Sequence, residues 1–172
     1  MEFLASPMSL YDIFGPGQLQ SYWKAINYRM YVTNGASSLN KGITARSSVN
    51  LLRDIIEEAT SQCLNPTVKS QESTAGSLHL RFGHDSALLR LLTLMRVEEC
   101  KQVAGDDTDA DQVAMQWHDY ELVPLAANLQ LVFYQGWQQD DILLRLLLNE
   151  RDAHLPLKAV EGCFYHWTEV KD

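Results

Sequence analysis

The chain has few cysteines and few basic residues, and it lacks any long apolar run. Its 172 residues hold no stretch near the roughly 18 apolar residues that a bilayer-spanning helix requires, so no membrane span is expected. Three cysteines, Cys63, Cys100 and Cys163, are odd in number and far apart. None belongs to a Cys-x-x-Cys pair, which excludes a zinc knuckle or a redox dithiol; small buried hydrophobes are the simpler reading. If the protein is exported one disulfide can form, and the sequence does not select the pair. Basic residues number 14 against 22 acidic ones, for a net charge of −8. That balance excludes a basic stripe for nucleic acid, but not a phosphorylated small molecule, because anion sites are built locally. The first eight residues, Met1 to Met8, have neither a basic stretch nor a long apolar one, so they do not read as a signal peptide. Repeats and low-complexity segments are absent as well.

What is present begins with helices. Around Leu10 to Phe14 the breakers Pro7, Gly15, Pro16 and Gly17 suggest a short helical turn. From Gln18 to Val32, Leu19, Tyr22, Trp23, Ile26 and Met30 recur at spacings of three and four, predicting an amphipathic helix. Its aromatic stripe reads as core, with Trp23 against the next helix, and Gly35 suits a left-handed cap. Residues 36–46 read as a polar loop. Ser47 or Ser48 then caps a second helix carrying Val49, Leu52, Ile55, Ile56 and Ala59 on one face. The polar stretch Leu64 to Gly76 reads as a connector. Residues 1–76 are thus expected to form a helical subdomain with its linker.

Residues 77–172 change period. Leu78, Leu80 and Phe82 alternate with His79 and Arg81, predicting a short strand, followed by a turn at Gly83 to Ser86. An apolar helix then runs from Ala87 to near Val97. Strand, turn and helix make half of a βαβ unit. Residues 98–112 read as a solvated acidic loop without the ligand spacing of a calcium site. Trp117 to Pro124 is mixed and aromatic. Asn128–Gln135 has strand composition; Asp141–Asn149 admits a helix by propensity, but its short length and the connection at 136–141 suit a late β-hairpin, with Asn149–Asp152 a turn and Phe164–Trp167 a short extended piece. The fold class is α/β.

His84-Asp85 is the pair with chemical promise. At the carboxyl end of a strand and the start of a helix, it would stand where anions collect, beside unpaired amides and a positive partial charge. Gly83 would let the backbone turn sharply there. An imidazole and a carboxyl in that position could hold a phosphate and hand it a proton. The plainer alternative is that Asp85 and Ser86 cap the helix and His84 is an ordinary histidine.

The run Leu80-Arg81-Phe82-Gly83-His84-Asp85-Ser86-Ala87-Leu88-Leu89 resembles the distal active-site motif of the histidine acid phosphatases, which include phytases and multiple inositol-polyphosphate phosphatases. Ser9–Phe14 with Tyr22–Tyr28, and Ser47–Ile56, are similar to the helical subdomain of bacterial members; Val123–Tyr134 resembles their late core strand. Nearly the whole chain is covered. The resemblance implies the C-terminal portion of such a phosphatase, a partial core preceded by its helical subdomain. It also implies phosphomonoester hydrolysis (inositol phosphates by preference, sugar phosphates equally compatible) with no cofactor or metal, and a periplasmic or secreted setting. His84 would contact phosphoryl oxygens. Asp85 would protonate the leaving oxygen.

One departure matters. The family's nucleophile is a histidine in an Arg-His-Gly-X-Arg motif, and no Arg-His dipeptide occurs in this sequence. His79, His118, His154 and His166 read as surface or packed histidines. The chain alone is therefore expected to be inactive, and to self-associate or to need the missing N-terminal half. Two alternatives stand beside this: a non-catalytic phosphate-binding or interaction protein, and a metal-dependent His-Asp phosphohydrolase.

Overall fold

A computed structural model describes residues 13–64, 78–135 and 142–172 of the chain. Helix α1 spans Pro16–Asn34 and starts where the sequence permits it, with proline in the first turn. The Gln18 side-chain oxygen accepts the Gly15 N–H at 2.9 Å. Its inward face buries Asn27, Met30, Tyr31 and Asn34. Gly35 ends it differently from the expectation, in an extended rather than a left-handed conformation (φ −91°, ψ −165°). Glycine is favoured there for space, since a Cβ would lie 2.8 Å from the Tyr31 carbonyl oxygen.

The stretch read as a polar loop contains a 3-10 turn at Ser38–Asn40 and the short helix α2, Ile43–Arg46. Helix α3 follows at Val49–Leu64. The first helical turn read near Leu10 and most of the connector lie outside the described residues. Helix α4, Asp85–Leu94, is shorter than predicted, because Arg96 turns into the left-handed region (φ 57°) and a 3-10 turn at Glu98–Cys100 follows. Two short helices occupy stretches read as loop or mixed. α5, Ala110–Gln116, is capped by the Asp109 side chain, which accepts the Asp111 N–H at 2.8 Å; α6 covers Asp119–Leu122.

The sheet is antiparallel and built around its second strand. β1 (Leu129–Gln135) pairs along its length with β2 (Ile142–Leu148), from Leu129 opposite Leu148 to Gln135 opposite Ile142, as the hairpin reading required. On the other edge of β2, β3 (Arg151–Asp152) pairs with Leu147 and Leu148, and β4 (Phe164–His166) with Leu143 to Arg145. The β2–β3 turn consists of Asn149 and Glu150, both at positive φ, the geometry that matches strand twist in a two-residue hairpin. Helix α7, Trp167–Lys171, closes the chain's described part.

β2 alternates buried and half-buried residues, with Ile142, Leu144, Leu146 and Leu148 inward. They join Met30 and Tyr31 of α1, Leu89 and Leu92 of α4, Val113 and Trp117 of α5 and its end, and Tyr165 and Trp167 in one continuous core. Burying each such leucine stabilises the fold by roughly 2 kcal/mol. The aromatic stripe of α1 divides accordingly: Tyr31 is fully buried while Tyr22 is exposed. Trp23 packs on α6 rather than on α3, donating its indole N–H to Asp119 Oδ1 at 3.1 Å beside the rings of His118 and Tyr120. Cys100 and Cys163 are buried free thiols.

Two expectations are corrected. Leu78–Phe82 is not a strand: residues 78–84 are irregular, and no described strand lies alongside to take their amides. The βαβ half-unit is therefore absent among the described residues, and the α/β class rests on helices packed with an antiparallel sheet. The acidic stretch 98–112 is not uniformly solvated either. Asp107 is buried and accepts from the Ser38 N–H (2.7 Å), Ser38 Oγ (2.8 Å), Ser37 Oγ (3.2 Å), Tyr31 Oη (3.3 Å) and Gln102 Nε2 (3.3 Å). The amide of Ser38 chiefly holds its pKa below the usual aspartate value. No described helix is long and apolar enough to cross a membrane.

Candidate functional site

His84 and Asp85 stand together at the start of α4. His84 is the residue before the helix, extended (φ −92°, ψ 159°), its carbonyl accepting the Ala87 and Leu88 N–H groups at 3.0 and 3.1 Å. Its side chain makes no capping hydrogen bond. Asp85 is the first helical residue, and its carboxylate accepts the N–H of Ser86. A carboxylate is favourable at that end, where the helix dipole is positive. Both side chains are exposed. Gly83 is not in the left-handed region, and a Cβ there would meet only the Ala87 Cβ at an ordinary 3.9 Å, so the sharp turn expected of it is not what holds the pair in place.

The segment leading to the pair is tied down from its polar side. Glu58 of α3 takes Arg81 Nη2 at 2.8 Å on one oxygen and His79 Nδ1 at 2.9 Å on the other. The Arg81 guanidinium mainly holds the Glu58 carboxyl below its usual range. Leu78, Leu80 and Phe82 point to water instead. His118 shares its ring nitrogens with the Ala114 carbonyl at 3.0 Å and Glu121 at 3.3 Å. His166 precedes α7 without a side-chain capping bond and is exposed.

A second constellation lies about a shallow, open hollow of ≈ 410 Å³ on the sheet, lined by Arg145, Asp152, His154, Glu161, Cys163 and their neighbours. Arg145 places Nε 2.8 Å and Nη2 2.7 Å from Asp152 Oδ1, and its guanidinium carbon sits 5.8 Å over the Phe164 ring. These contacts push the arginine further toward its charged form and hold Asp152 low, the Asp152–Arg145 hydrogen bond leading in both cases. Burial, and then its hydrogen bond to Asp152, raises the Cys163 thiol pKa, so it stays protonated and is a poor nucleophile. No sequence signal marked this cluster; Arg145 and Asp152 meet only because the two-residue turn folds β3 back on β2.

Among the described residues no group of three or more histidine, cysteine, aspartate or glutamate side chains is arranged to hold a metal ion. No protein-family model matches the chain.

Proposed function

We propose that this chain is the C-terminal, proton-donating portion of a histidine acid phosphatase acting on phosphomonoesters, with inositol phosphates and sugar phosphates equally compatible. The observation that carries the reading is the adjacency of an exposed imidazole and an exposed carboxyl at the N-terminal end of the ten-residue helix α4. His84 would contact phosphoryl oxygens. Asp85 would give its proton to the leaving alkoxide as a phosphohistidine forms on a histidine outside this sequence. The partial core would comprise residues 77–172 and the helical subdomain residues 1–76, in a periplasmic or secreted protein.

A second reading is a non-catalytic phosphate-binding or interaction protein, because no Arg-His dipeptide to supply the family's nucleophile occurs in this sequence. The dispersed histidines, three of them each beside a different carboxylate, weigh against the metal-dependent alternative.

The test compares the 172-residue chain with a version extended by its upstream coding sequence, using an aryl phosphate at acid pH. The chain alone is expected to show no turnover. The extended protein is expected to turn over, with Asp85→Asn lowering kcat by about 10²- to 10⁴-fold. Turnover by the chain alone would refute the need for an outside nucleophile, and an unchanged kcat in Asp85→Asn would refute the acid. An upstream sequence without an Arg-His motif would favour the binding protein.

A further inference from the structure

The turn that follows α4 is stitched to the loop that follows β3 at one residue, His154. The Glu98 N–H donates to the His154 carbonyl at 2.9 Å, and the His154 N–H donates to Glu99 Oε2 at 3.1 Å. The other Glu99 oxygen lies 2.8 Å from His154 Nδ1. Glu99 thus grips both the backbone and the ring of a residue 55 positions away. The flanking residues Val97, Cys100, Ala153 and Leu155 are all buried, so these contacts sit at the lip of the core while the His154 ring itself is half-exposed.

We propose that His154 and Glu99 form a pH-sensitive clasp, tight in acid and looser as the pH rises, that holds the end of α4 against the sheet. The ionisable surroundings favour this direction. The 3-10 turn presents Glu98 and Glu99, β3 presents Asp152, and the loop before β4 presents Glu161 and the protonated Cys163 thiol. Arg145 of β2, which lines the same hollow, is committed to Asp152. An imidazolium is therefore surrounded mainly by carboxylates. Its hydrogen bond to Glu99 comes first among the effects that raise the His154 pKa above the ordinary imidazole value.

Because the folded-state value is the raised one, the stabilisation is complete below the ordinary imidazole range and is lost as the pH climbs through the raised value. Deprotonation releases one proton to water. If the remaining proton sits on Nδ1, the bond to Glu99 survives without its charge; if it sits on Nε2, a lone pair faces the carboxylate. The two backbone-linked bonds persist in either case, so the clasp loosens without unzipping. This inference is independent of the proposed phosphatase activity.

The deciding experiment is an NMR titration of the histidine rings in the full chain, with His154 assigned from the spectrum of His154→Gln. His154 is expected to titrate above the ordinary imidazole range and to fall toward it in Glu99→Gln. In thermal melts Glu99→Gln is expected to lower Tm by about 2 °C at about pH 5, and by less than half of that at about pH 9. A wild-type His154 that titrates in the ordinary range overturns the proposal, and so does a Tm difference equal at both pH values. Should Glu99→Gln fail to fold, the wild-type titration decides alone.

Discussion

Strand β2 turns Ile142, Leu144, Leu146 and Leu148 into the core, whereas Leu78, Leu80 and Phe82 stand 79 %, 68 % and 92 % exposed. Both stretches place apolar side chains at alternate positions. The difference is in their backbones: β2 is paired on both edges, while residues 78–84 make no ladder with any described strand. Two carboxylates show the same contrast in the donors they gather. Asp107 does so in a buried setting with five donor groups, Glu58 in a half-exposed one with two. Similar local chemistry therefore carries different weight, set by whether water competes for it.

Mutations can sharpen or break that contrast. The largest loss is expected from Leu144→Ala, about 3 kcal/mol in urea unfolding, because this fully buried side chain leaves a cavity between sheet and helices. Asp107→Ala should follow at roughly 2 kcal/mol, since the Ser37, Ser38 and Tyr31 donors lose their acceptor inside the fold. The Asp107 pKa is lowered on folding, so its contribution is present above the unfolded carboxylate range and is lost as the pH falls through the folded value. Wild type and Asp107→Ala should therefore converge in acid. Glu58→Gln should leave the unfolding midpoint unchanged within error while speeding tryptic cleavage after Arg81, because its partners are already half in water. Leu80→Ser should be smallest, within about 0.5 kcal/mol of wild type, and should reduce any self-association seen in sedimentation. A loss from Leu80→Ser as large as that from Leu144→Ala would show the two regions to be equivalent after all.

Periodicity alone made α1, α3, α4 and the β1–β2 hairpin legible. Their apolar spacing reports which face is buried, and that is a local property of the chain. It misread Leu78–Phe82 because alternation shows only that a segment can be a strand; the partner that makes it one is not local. It missed the burial of Asp107 for the same reason: its main donors, Ser37, Ser38 and Tyr31, come from about 70 residues earlier. His154 and Glu99 were equally invisible, each an ordinary polar residue until 55 positions of chain fold back. At the candidate site the sequence marked His84-Asp85 and a helix following it, and the structure does place both at the start of α4.

By itself, then, the sequence determined where the long helices α1, α3 and α4 and the hairpin form, and that an imidazole and a carboxyl open an apolar helix, because these follow from spacing over a few residues. Only the tertiary structure decided which carboxylates are buried and which histidine is clasped. It also decided which apolar alternation is covered and which is left to water, because burial and hydrogen-bond partnership depend on chain segments brought together from far apart.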